Sequence, residues 1–206
     1  MEDVQKNTGE DRRTKLALFA LQIFLEKGYS GASMSAVAKA AGIKKPSLYH
    51  HFSSKEQLFL AALAADLDPL CSQFDQLMEQ PKIAPEAVFR GALGLYYDAM
   101  VNSAIGSIMT VISETSQTVP EVAEGFHDDF IAEFETSLAE VYAPCRTSGT
   151  HRNVPDVTIN QLVFGPLLSI AISNKMFANV PRVAAHWSKG RSRAEFIDMV
   201  DGLLRV

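Results

Sequence analysis

Cysteine is scarce in this chain of 206 residues: Cys71 and Cys145 stand far apart and belong to no CxxC or Cys/His cluster. That excludes a disulfide-stapled scaffold and a zinc ribbon, and it suits a reducing, cytosolic setting. No run of about 18 apolar residues occurs, so no membrane span is expected. The longest apolar-rich stretch, LVFGPLLSIAI, is short and holds Gly165 and Pro166. The N-terminal MEDVQKNTGEDRR has no apolar signal region. Alternating strand patterns, internal repeats and low-complexity tracts are also missing. So are a P-loop, GxGxxG, HExxH and any Ser-His-Asp spacing. The triplet His127–Asp129 reads as a solvated helix face, because adjacent helical residues diverge. Nothing assembles a catalytic set, and no cofactor or metal is implied.

What remains is ordinary for a globular protein, with 47% hydrophobic and 21% charged residues, enough for a sizeable core. The net charge of −5 is unevenly spread: residues 1–60 hold nine Lys/Arg against six Asp/Glu, the rest ten against eighteen. Within 11–60 the balance is eight to three. A basic piece on an acidic body suggests that only the N-terminal part meets a polyanion. A protein that coats nucleic acid would be basic all over, and the acidic remainder argues against that.

Helical periodicity dominates, and the chain reads as all-α with about nine helices. In 15–27 the residues Leu16, Phe19, Ala20, Ile23 and Phe24 recur at helical spacing, and Gly28 ends that helix. Ser33 caps a short second helix with Met34, Val37, Ala38 and Ala41 on one stripe, closed by Gly42. Pro46 opens a third helix, about 46–52, and Ser53 or Ser54 caps a fourth from about Lys55 into the high seventies. Further helices are expected at about 84–103, 105–117, 120–146, 156–179 and 192–205. Pro81 and Pro85, Pro120, the RTSGTHRNVP segment and the loop NVPRVAAHWSKGRS separate them.

The first three helices make a helix-turn-helix pattern, with Ala41-Gly42-Ile43-Lys44 as the turn. Val37, Ile43 and Leu48 would form its small core, with Phe52 also inward. The third helix would then present Lys45, Ser47, Tyr49, His50 and His51 outward. Lysine donates to guanine or phosphate, serine bonds base edges, and flat rings meet a thymine methyl. This is a poor enzyme site and a good groove reader. His50 and His51 diverge by about 100 degrees, so one shared metal is not expected.

Across about residues 11–63 these features resemble the DNA-binding signature of the TetR family of transcriptional repressors. The likeness rests on Gly28-Tyr29, Val37-Ala38, Ala41-Gly42-Ile43, Leu48-Tyr49, His51-Phe52 and Lys55-Glu56 at fixed spacing. It implies that Ser33, Tyr49, His51 and Lys55 touch phosphates. It implies that Ser35, Lys45, Pro46, Ser47 and His50 reach base edges of double-stranded DNA. Lys44 departs from the family, which often places Ser or Thr there to cap the helix, a loss of about 1 kcal/mol. Lys44 is counted with the DNA-contact residues, between phosphate and base.

The division expected is a DNA-binding domain over 11–54 and a ligand-binding and dimerisation domain over 55–206. Apolar stripes in the last two long helices suggest a homodimer: Leu162, Val163, Pro166, Leu167 and Ile170, then Phe196, Val200 and Leu203. Two readers related by a two-fold axis would read a palindromic operator. The middle helices are rich in aromatics and methionines, so Tyr96, Met100, Met109, Thr110, Phe126 and Phe130 are candidates to line a site for a mostly apolar or aromatic small-molecule effector. Asn102, Ser107 and Glu114 offer polar groups beside them. The resemblance implies that such an effector shifts the fourth helix and releases DNA. A cytoplasmic, ligand-responsive regulator, repressing rather than activating, is the expectation.

Overall fold

A computed structural model describes residues 2–80, 82–187 and 189–206, with side chains from Asp11 onward. The break expected at Pro81 lies outside these residues. The described chain is all-α, as the periodicity predicts, with one isolated bridge between His151 and Arg205. In chain order the helices are α1 (Glu2–Gly31), α2 (Met34–Ala40), α3 (Lys45–His51), α4 (Lys55–Met78), α5 (Pro85–Tyr97), α6 (Ile105–Thr115), α7 (Pro120–Phe126), α8 (Ala132–Thr147), α9 (Asp156–Phe177), α10 (Pro181–Trp187) and α11 (Arg193–Leu204). Helix α5 runs on through a π-helical turn, Asp98–Asn102, and another, His127–Ile131, joins α7 to α8. The long helices expected at about 84–103 and 120–146 are therefore present, each with one widened turn.

Helix α10 was expected as loop. It has no fully buried residue, and its half-buried Val183, Ala184 and Trp187 make one turn too short for periodicity to stand out. Pro181 starts it without losing a hydrogen bond.

Compact packing divides the chain into two units, Met1–Asp68 with Ile108–Asp129, and Pro69–Ser107 with Phe130–Val206. The first unit is centred on Phe24, Leu48, Phe52, Leu58, Phe59 and Leu63, all fully buried. Phe24, Tyr29 and Phe59 form a ring cluster, with Phe24–Phe59 edge-on at 4.9 Å. Phe19 does not join it and is 45% exposed. The buried stripe of α1 instead runs through Ala17, Ala20, Leu21 and Phe24, which leaves Phe19 on the flank.

The second unit buries Phe89, Leu93, Tyr96, Tyr142, Val163, Leu167 and Phe196. A polar group lies within it. Asp201 accepts from Arg90 and Arg205 on one oxygen, both at 2.9 Å, and pairs with His151 Nε2 on the other at 3.0 Å. The His151 ring lies edge-on to Phe89 and Tyr142. Burial pushes the Asp201 carboxyl up, but the hydrogen bonds from Arg205, His151 and Arg90 outweigh it and hold it below its ordinary value. Cys145 is fully buried and its thiol is pushed up to about 11 by burial, whereas Cys71 on α4 is exposed.

By length and composition alone α9 could cross a membrane, which a search for unbroken apolar runs does not register. Its Ile159, Val163, Leu167, Ile170 and Ala171 are buried within the second unit. Only 33% of its most apolar window is covered in this way, so α9 keeps a second apolar face.

Candidate nucleic-acid interface

The turn between α2 and α3 follows from one residue. Gly42 adopts φ 67°, where a side chain is strained. This lets the Gly42 and Ile43 amides donate back to the carbonyls of Lys39 and Ala38, at 3.2 and 3.0 Å. That pair is a Schellman motif, and it closes α2 before the chain turns. At the other end of α2, Ser33 Oγ accepts from the Ala36 amide at 3.1 Å, as an N-cap does. Leu48 and Phe52 are fully buried and fasten α3 to the unit.

With Leu48 inward, Lys44, Lys45, Pro46, Ser47, Tyr49 and His50 are exposed, as are Ser33 and Ser35 on α2. His51 is half-buried. The Lys45 ammonium lies 5.6 Å from the Tyr49 ring centroid. The rings of His50 and His51 are 5.7 Å apart and tilted by 71°. Among the described residues no three His, Cys, Asp or Glu side chains gather as a metal site.

Lys44 corrects an expectation about capping. It occupies the N-cap position and makes no side-chain cap bond. However, Pro46 has no N–H to offer, and the Ser47 amide already donates to the Lys44 carbonyl at 2.9 Å. A capping hydroxyl accepts from these second and third positions, so little is lost by its absence.

Lys55 is more enclosed than the resemblance implies. Its ammonium lies 4.1 Å from the Tyr29 ring centroid, and burial holds it below the usual lysine value. Tyr29 and Glu56, fixed positions in the motif with no role read from sequence, are joined: Tyr29 Oη donates to Glu56 Oε1 at 2.8 Å. Ser54, not Ser53, caps α4, accepting from the Gln57 amide at 3.2 Å. Sequence reading also passed over Arg13, whose guanidinium stands 4.9 Å from the Phe52 ring centroid.

The expected effector residues are divided between the two compact units. Tyr96, Met100 and Phe130 are buried in the second unit, whereas Met109, Thr110 and Phe126 belong to the first. Thr110 is exposed. Within the second unit Tyr96 is surrounded instead by half-buried Phe74, Phe134 and Phe164, with centroids 5.7–6.0 Å from its own. Its hydroxyl shares a hydrogen with Ser137 at 2.8 Å. Asn102 is turned away to Asp98, at 2.7 Å. A separate surface groove of about 360 Å³ lies on α9 and α10, lined by Ser173, Phe177 and Trp187 among others.

Five of the expected dimer residues have little surface of their own to offer a mate. Val163, Leu167, Ile170, Phe196 and Val200 are covered by their own chain, each at most 7% exposed. An apolar stripe does not say which chain will cover it. Leu203 is 56% exposed, and Leu162 and Pro166 are half-buried.

Two short helices about a glycine turn, the second showing its polar side, define a helix-turn-helix protein. Residues 19–62 match the family model of the tetR family of bacterial regulatory proteins. It is 32% identical over 114 residues to the HTH-type transcriptional activator FasR of Mycolicibacterium smegmatis, covering 55% of this chain and 51% of FasR. The chain thus spans about half the length of that relative. A putative TetR-family regulator from Mesorhizobium loti superposes with a TM-score of 0.68 at 23% identity, over 95% of this chain and 98% of that one. The structure of AibR in complex with isovaleryl coenzyme A and operator DNA gives 0.62 at 21% identity, over 94% and 98%. At these identities the two structures show the fold.

Proposed function

We propose that this chain is a transcriptional regulator that binds a palindromic operator as a homodimer and is released from it by a small, mostly apolar or aromatic effector. The observation that carries the reading is α3 itself. A seven-residue helix, fastened by fully buried Leu48 and Phe52, presents Lys45, Ser47, Tyr49 and His50 to solvent behind a glycine turn. Ser33, Tyr49, His51 and Lys55 take phosphates in this reading, Ser35, Lys45, Pro46, Ser47 and His50 take base edges, and Lys44 stands between the two. Functionally, residues 11–54 read DNA and 55–206 bind the effector and the mate.

The mate is expected on the outward faces of α9 and α11, where Met176, Met199 and Leu203 are 45–62% exposed. An effector is expected against the Tyr96, Phe134 and Phe164 rings. The acyl thioester carried by AibR, a protein of similar fold, supports a ligand with an apolar part. Repression is the simpler outcome of operator occupancy, while the kinship with an activator keeps activation as the alternative.

The test is to select genomic fragments on the purified protein and measure their binding by mobility shift. The reading expects an inverted repeat, bound by wild type and lost in Ser47→Ala/Tyr49→Ala with the circular dichroism unchanged. A protein that retains no fragment, or a double variant that binds as well as wild type, would refute it.

A further inference from the structure

Arg12 and Arg13 lie on α1, outside the helices that carry the expected contacts, and both are exposed. Their surroundings tie them to α3. The Arg13 guanidinium packs 4.9 Å from the centroid of Phe52, the buried C-cap residue of α3. Both arginines also act on His51 one position earlier: burial lowers its pKa most, followed by the charges of His50, Arg12 and Arg13. Arg12, Arg13, His50 and His51 therefore converge on the C-terminal end of the reader helix. Nearby Lys15 differs, being tied to Asp11 at 2.6 Å.

Gathering like charges is unfavourable for the free protein and becomes favourable against a polyanion. The spacing matters as well. A helix seated in the major groove is flanked by the two backbones, so cations at its end meet phosphates rather than bases. Guanidinium groups bond phosphate oxygens in pairs. The ring of Phe52 holds Arg13 in place, which reduces the side-chain freedom lost on binding.

We propose that Arg12 and Arg13 form a second phosphate-contact site, extending the DNA footprint from α3 onto α1. The inference rests on the DNA-reading function above and adds a sequence-independent part to it. Any duplex should feel these arginines equally, whereas Lys45 and Ser47 should distinguish sequences.

The experiment measures fluorescence anisotropy of a labelled mixed-sequence duplex over a salt titration, with wild type, Arg12→Gln, Arg13→Gln, the double variant and Tyr49→Ala. Each arginine lost should weaken binding and flatten the plot of log K against log salt by about one per protomer. Arg13→Lys should restore most of the slope. If Arg13→Gln lowers the melting temperature through Phe52, Arg12→Gln carries the test alone. A double variant with wild-type affinity and slope, beside a Tyr49→Ala variant that has lost binding, overturns this inference and leaves the reader intact. Failure of wild type to bind the duplex even at low salt would overturn both.

Discussion

Tyr29 donates its phenolic hydrogen to Glu56 at 2.8 Å while the Lys55 ammonium stands 4.1 Å from the centroid of the same ring. The end of α1 and the start of α4 are thus joined through one side chain. Burial and then the Glu56 bond push the Tyr29 hydroxyl well up, so it stays protonated and donating. The Ser54 hydroxyl, working against burial, and then the Glu56 backbone amide and Tyr29 hold the Glu56 carboxyl below the usual range. Tyr29→Phe keeps the ring under Lys55 and removes only the bond. It should cost about 1.5–3 kcal/mol, the range for a bond to a charged group, as a lowered urea midpoint at unchanged slope.

Lys44→Thr tests the corrected view of the α3 cap. A missing cap normally costs about 1 kcal/mol. Because the Ser47 amide already has a partner, Lys44→Thr should gain well under that by thermal melting. It should nevertheless weaken DNA binding, since a cation is removed. A full-sized gain in stability would mean that α3 is short of a cap.

If His51 meets a phosphate as proposed, DNA binding should depend on pH. Its pKa is lowered in the free protein by burial, His50, Arg12 and Arg13. The unfolded chain therefore takes up a proton first, and stability falls as pH drops below the ordinary value of 6.5. A phosphate beside His51 would act in the opposite direction and favour the charged ring. Operator affinity should rise as pH falls through that region at constant salt. His51→Gln should remove most of the rise, as read by anisotropy.

Asp201 should govern acid stability. Its pKa is depressed, so its contribution is complete above the ordinary value of 3.8 and is lost as pH falls through the lower folded value. Asp201→Asn leaves His151, whose side chain is fully buried, facing a neutral amide. A loss of about 3 kcal/mol is expected from breaking such a buried group. Arg90 and Arg205, with side chains 38% and 52% exposed, can return to water and limit it. Urea titrations of both proteins at neutral pH would measure the difference.

Much of the reader was legible because its causes are local. Gly42 announces a positive φ, Ser33 a cap, and Leu48 and Phe52 the inward side of a short helix. The same logic says less wherever an answer depends on which surface arrives from elsewhere. Val163 and Phe196 form stripes whether a mate or the chain's own core covers them. Arg12 and Arg13 look like ordinary surface charge until Phe52 and His51 are placed beside them. Lys55 reads as a free cation until the Tyr29 ring is found under it. Helix α10 spans seven residues with none fully buried, too short a stretch for a periodic signal to stand out. The effector residues were chosen by type, and type does not tell that Met109 and Met100 belong to different compact units.

The contrast between the two thiols equips this protein for spectroscopy without engineering. A maleimide dye at neutral pH needs an accessible thiolate. Cys145 is sealed inside and protonated, which leaves Cys71 to take the label. The dye would then sit on α4, the helix expected to shift when effector replaces DNA. Wild-type protein could report that motion through a single reporter that nature has already positioned.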